Sequence, residues 1–137
     1  MIDKIALKEK LAGGANCCQC VFIAFADRFD YAEEEFDRIA AGFGGGMFHG
    51  DTCGAVTGGI MALGVAFGDD SPKMHETVKR FQREFTARFG STYCRELMGH
   101  DFAIPGEREK ALASGAKEKC ATFVAEAAEM IEQILDE

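Results

Sequence analysis

The stretch Asp51-Thr52-Cys53-Gly54-Ala55-Val56-Thr57-Gly58-Gly59-Ile60-Met61-Ala62-Leu63-Gly64-Val65-Ala66-Phe67 decides how the rest of the chain is read. Cys53, Val56, Ile60, Leu63 and Phe67 recur at spacings of three and four, the period of one helix face. Asp51 or Thr52 is placed to cap the helix start. The apolar run is short of the roughly 20 residues that a membrane span needs, so it reads as a helix buried in a protein core. Gly54 and Gly58, one turn apart, leave a bare strip that lets another backbone come close. That approach would be useful if it carried a second cysteine-bearing helix towards Cys53.

Helical periodicity continues on both sides. From Ser71 to Phe89, Met74, Val78, Phe81, Phe85 and Phe89 share a face, with Ser71 as a cap, Pro72 at the first position and Gly90 as the stop. In the last segment, Cys120, Phe123, Val124, Ala127, Ile131, Ile134 and Leu135 form an inward stripe, with Ser114 as a cap. Glu126, Glu129, Glu132 and Asp136 lie on the other side. Upstream, residues 2–12 read as a short amphipathic helix ended by Gly13-Gly14. Asn16 can cap a helix reaching about Arg28, and residues 32–41 make another. Residues 100–113 read as a linker turning at Pro105-Gly106. Runs of alternating β-branched residues are missing. The expectation is one all-α domain over residues 1–137, a bundle of five or six helices.

Composition narrows the function. The net charge of −8 argues against nucleic acid and against anionic lipid as partners. Residues 1–10 interleave charged and apolar side chains and hold no continuous apolar core, so they do not read as a signal peptide. The expected location is the cytoplasm, with thiols mostly reduced, and the chain is not expected to be membrane-embedded. Ten of the sixteen glycines fall between Gly42 and Gly68. They do not make a Walker loop, because no lysine lies between Lys10 and Lys73, and a dinucleotide fingerprint would need a preceding strand. His49, His75 and His100 lack metal-helix spacing, and His49 is singled out only for its nearness to Cys53. The acidic runs Glu33-Glu34-Glu35 and Asp69-Asp70 read as solvated helix ends, and the methionines and phenylalanines as core.

The six cysteines stand apart from that background. Cys17 follows the cap Asn16, Cys53 follows Thr52, and Cys94 opens a short Cys-Arg-Glu-Leu-Met helix. A helix start offers free N–H groups and the positive end of the dipole, which favour a thiolate and lower its pKa. Cys120 points inward on the last stripe. Buried cysteine is often no more than a small hydrophobe, but that bland reading weakens for four cysteines, three of them at helix starts. Cys17-x-x-Cys20 has redox-motif spacing, without a βαβ unit to make it thioredoxin-like, and Cys18 adds a third thiol there.

Asn16-Cys17, Gly44-Gly45-Gly46-Met47, the Asp51–Gly64 run, Cys94-Arg95-Glu96-Leu97 and the late Cys120 together resemble the C_GCAxxG_C_C family of putative redox-active proteins, over nearly the whole chain. The family's four cysteines correspond to Cys17, Cys53, Cys94 and Cys120. Cys18 and Cys20 depart from its pattern and leave open whether Cys17 works with Cys20 or with the distant cysteines. Family members are often encoded beside transporter genes, so the resemblance implies a functional link to a transporter. A similar domain in split-Soret-type cytochromes has been proposed to hold an iron–sulfur cluster.

Three functions follow. In the first, Cys17, Cys53, Cys94 and Cys120 are catalytic thiols of a redox protein. Cys53 or Cys17 attacks a disulfide or other oxidant and a second cysteine resolves the intermediate. In the second, the same four cysteines are metal ligands, for an iron–sulfur cluster before zinc. In the third, the chain is a non-catalytic helical interaction module. No acid–base pair defines a reaction, so an enzyme is expected only in the sense of a thiol oxidoreductase. Its partner would be a redox protein or thiol substrate, and a homodimer is a candidate assembly.

Overall fold

Three helices of this chain start where a side-chain oxygen meets a free N–H group. In the computed structural model, which describes residues 1–137, Asp3 accepts from the Ala6 N–H at 3.1 Å and opens α1 (Lys4–Ala12). Asn16 opens α2 (Cys17–Ile23) with a reciprocal pair. Its Oδ1 accepts from the Gln19 N–H at 2.9 Å, and Gln19 Oε1 accepts from the Asn16 N–H at 2.8 Å. The Asn16 amide also donates to the carbonyls of Ala40 and Ala41 at the end of α3 (Glu33–Ala40). One side chain therefore caps a helix and ties it to its neighbour.

The central helix α4 (Gly54–Phe67) packs against α2, α5 (Ser71–Phe89) and α8 (Ala116–Leu135). The bare strip does what its spacing predicts. A Cβ at Gly58 would lie 2.7 Å from the Cys18 carbonyl oxygen, and one at Gly54 would lie 2.9 Å from the Cys18 nitrogen and 3.0 Å from Cys17 Cβ. Helix α2, with its cysteines, rests directly on the backbone of α4. On the far side, Phe81, Phe85, Phe89 and Phe123 form an aromatic cluster between α5 and α8, with centroids 4.9 to 6.3 Å apart. Leu63, Val56, Val21 and Ile131 fill the middle of the core. Helix α1 lies across α8, where Lys4 pairs with Glu126 at 3.5 Å and Glu129 at 2.5 Å.

Two short helices complete the chain: α6 (Cys94–Met98) and α7 (Glu107–Ala113). With the π-type turn Gly46–Gly50 there are nine helical elements rather than five or six. Beyond α1 to α5 and α8, the further elements are the π-type turn and the short α6 and α7, the last of which comes from residues 100–113. This segment turns at Gly106, with φ +87, but then coils into α7, which buries only Ala111 and so carries little apolar pattern. The helix expected to run to Arg28 ends at Ile23 and continues as turns to Asp30. Asp70, rather than Ser71, caps α5, through the Lys73 N–H at 3.1 Å. Gly115, with φ +83, rather than Ser114, precedes α8. Cys53 itself sits at the cap position of α4, because Thr52 is drawn into an isolated bridge with Tyr93, the only β-type pairing in the chain. No helix is long and apolar enough to cross a membrane.

Candidate functional site

All four cysteines singled out in the sequence, Cys17, Cys53, Cys94 and Cys120, line one cavity of about 120 Å³. Each arrives on a different helix. Cys17 is the first residue of α2, held by the Asn16 cap and by the Gly54–Gly58 strip beneath it. Cys53 and Cys94 begin α4 and α6, and the Thr52–Tyr93 bridge sets those two starts together. Cys120 comes from the opening of α8, about one turn in, and is the only one of the six cysteines not buried. All six are free thiols.

The charge state of these thiols reverses the expectation drawn from helix starts. At Cys53, burial is the leading influence and pushes the thiol up to about 12, even though the Ala55 and Val56 N–H groups of the α4 start oppose it. Burial raises Cys94 to about 11. The dipole effect is present at Cys53 but smaller than the desolvation of a thiolate cut off from water. Cys17 is pushed well up, first by its hydrogen bond with Cys120 and then by burial. Cys120 alone is lowered. Its hydrogen bond with Cys17 is the main cause, helped by its own backbone N–H and by the Lys117 ammonium, against burial. Of the two, Cys17 is the thiol held up and Cys120 the one brought down. The residue read as an inward stripe position is thus the one thiol that is lowered, chiefly by Cys17, with its own backbone N–H and Lys117 adding to the effect.

Cys120 Sγ also lies 3.8 Å from Met98 Sδ. The two extra cysteines play no part in the cavity wall. Cys18 is fully buried, with Sγ 3.7 Å from Met61 Sδ, and Cys20 is fully buried as well. Burial lifts both thiols to about 11. Cys17 thus shares a cavity wall with the distant Cys120 and not with the local Cys20. His49 is 70% exposed and pairs with Asp51 at 3.4 Å, outside the cavity. His100 is engaged by Glu107 at 3.0 Å.

No three of the histidine, cysteine and acidic side chains are set to hold a metal ion. Zinc needs four sulfurs each about 2.3 Å from one point, so the arrangement does not fit a zinc site. An iron–sulfur cluster spreads four cysteine sulfurs around a larger body, and the donor set on this wall has that composition.

Sequence reasoning missed Arg108, Lys117, Phe48 and Phe102, which also line the cavity. Arg108 and Phe102 fall in the segment read as a linker. Phe48 sits in a left-handed turn, with φ +56, that no local periodicity announces. The model of the C_GCAxxG_C_C family, described as putative redox-active protein, matches residues 15–134. The chain belongs to this family. The match spans all four cavity cysteines, and the family's redox description agrees with a wall built of thiols. No curated protein and no solved structure matches the chain.

Proposed function

We propose that the protein is a dithiol–disulfide redox protein in which Cys120 is the attacking thiol and Cys17 the resolving one. The observation that carries this reading is that Cys17 and Cys120 share the wall of the four-cysteine cavity, with Cys120 the one thiol that its neighbours bring down. The Cys120 thiolate attacks one sulfur of a disulfide, forms a mixed disulfide and expels the other sulfur as a thiolate. The Cys17 thiol gives its proton to that leaving thiolate and attacks Cys120 Sγ. The Cys17–Cys120 disulfide forms and the second half of the substrate leaves. Two protein thiols are oxidised and one external disulfide is reduced. Cys53 and Cys94, buried behind them, form a second pair that can take up the disulfide by exchange.

The test is oxidation of the fully reduced protein by a small disulfide, followed by peptide mapping. The expected product is a Cys17–Cys120 linkage, with Cys17→Ala trapping the mixed disulfide on Cys120. Oxidation that leaves Cys120 free would overturn the assignment.

A second reading is favoured by one observation, that four cysteines share one cavity. In it, Cys17, Cys53, Cys94 and Cys120 would hold an iron–sulfur cluster, which supplies electron transfer when bound. Protein purified without oxygen, with its absorption spectrum recorded and iron and acid-labile sulfide assayed, separates the two. Stoichiometric iron and sulfide support the cluster, and a colourless, metal-free protein supports the dithiol.

A further inference from the structure

The cavity wall is selective in its charges. The chain has 23 acidic residues against 15 basic ones, yet no aspartate or glutamate lines the cavity. Its only charged residues are Arg108 and Lys117, both solvent-exposed. Neither has an acidic neighbour one turn away on its own helix. Within α7 Arg108 has Ala111 and Leu112 at those positions, and within α8 Lys117 has Cys120 and Ala121. Of the two carboxylates adjacent to Arg108 in sequence, Glu107 is held by His100 at 3.0 Å and Lys110 at 3.6 Å, and Glu109 does not line the cavity. Most of the remaining wall is apolar, with Leu11, Leu112 and Phe123 alongside Phe48 and Phe102.

An acidic protein that collects thiols behind two cations and excludes carboxylates from the same wall is built to admit an anion. We infer that the substrate of the thiol cavity is a small disulfide with an apolar body and carboxylate ends, held by Arg108 and Lys117 while its sulfurs face Cys120. This rests on the dithiol reading above. It adds the substrate class. The cavity of about 120 Å³ suits a compact aliphatic molecule rather than a protein loop. The cations serve twice: they draw the anion in, and they stay beside the thiolate that leaves when Cys120 attacks, before the Cys17 proton neutralises it. The stoichiometry is one disulfide reduced to two thiols for each Cys17–Cys120 disulfide formed.

The experiment is a single-turnover comparison of three aliphatic disulfides of similar size with the fully reduced protein: 3,3′-dithiodipropionate (anionic), bis(2-hydroxyethyl) disulfide (neutral) and cystamine (cationic). At low ionic strength the anionic reagent is expected to react about tenfold faster than the neutral one, and the cationic reagent slowest. The spread should shrink at high salt, since both cations are exposed. The double variant Arg108→Glu with Lys117→Glu should invert the order. The ratio of anionic to neutral rates is the readout, so a change in the reactivity of Cys120 itself cancels. The single variants Arg108→Gln and Lys117→Gln, each expected to reduce the ratio, serve if the double variant fails to fold. Equal rates for the three reagents, or a preference that survives the charge reversal, would overturn the inference while leaving the dithiol reading standing. Failure of all three to oxidise Cys17 and Cys120 would instead sink the dithiol reading.

Discussion

Cys53 and Cys94 are held together by their backbones: the Cys53 N–H donates to the Thr92 carbonyl at 2.7 Å, and the Cys94 N–H donates to the Asp51 carbonyl at 2.7 Å. These two bonds join the starts of α4 and α6 and close the buried side of the cavity. Each thiol sits at a helix start, where a lone exposed cysteine would be activated, yet burial pushes Cys53 up to about 12, against the N–H groups of its helix start, and Cys94 up to about 11. Brief treatment of the reduced, folded protein with iodoacetamide at pH 7 should therefore label Cys120 and spare Cys53 and Cys94. Mass mapping of the modified peptides checks this, and rapid labelling of Cys53 would contradict it.

The reactivity of Cys120 depends on its partner. Cys17→Ala removes the hydrogen bond that contributes most to lowering the Cys120 thiol. The alkylation rate of Cys120 at pH 7 should fall several-fold, and its pH profile should move to higher pH. Lys117 and the backbone N–H would still lower the thiol, so reactivity is reduced rather than abolished. An unchanged profile would show that the two thiols are not coupled.

Alkaline pH should unfold the reduced protein. Cys17, Cys18, Cys20, Cys53 and Cys94 are all raised in the folded state, so above about pH 8.5 the unfolded chain releases protons that the folded chain retains. Stability then falls as pH rises, by about 1.4 kcal/mol per pH unit for each such thiol, through the window up to about 11. Cys120 is lowered, so its stabilising contribution is already complete near pH 8.5 and adds no slope in this window. Urea midpoints measured in reductant from pH 8 to 10.5 read this slope. Replacing Cys18 and Cys20 by alanine should make it shallower.

Two glycines of the same helix should respond with opposite signs. Gly58→Ala places a Cβ 2.7 Å from the Cys18 carbonyl oxygen, a backbone atom that cannot move aside, and should cost about 1–3 kcal/mol. It should also slow Cys120 alkylation, because α2 carries Cys17 away. At Gly64 the added Cβ meets only Met74 Cε, at 3.6 Å, so Gly64→Ala should stabilise by about 0.5–1 kcal/mol through helix propensity. Urea denaturation of both variants, with alkylation rates on the folded proteins, provides the comparison.

Local signals in the chain were sufficient for much of this architecture. The three-and-four spacing of Val56, Ile60, Leu63 and Phe67 marks α4, and Asn16 marks the start of α2, because caps and faces depend on residues within a few positions of each other. That another backbone would come close at Gly54 and Gly58 was also legible, but that it belongs to α2 came from the tertiary structure. Helix α7 was not, because a helix that buries one alanine shows no periodic face. At the site, the four cysteines could be named from their positions and family pattern.

Their chemistry could not. By itself the sequence determined an all-helical chain, the helix starts at Cys17 and Cys94, and the four thiols to watch. Only the tertiary structure decided which of them is lowered and what charge surrounds them. A thiol's pKa depends on water exclusion and on neighbours brought from distant segments. Cys120 meets Cys17 across most of the chain's length, and Arg108 and Lys117 meet the same cavity from helices whose local pattern gives no hint of facing it.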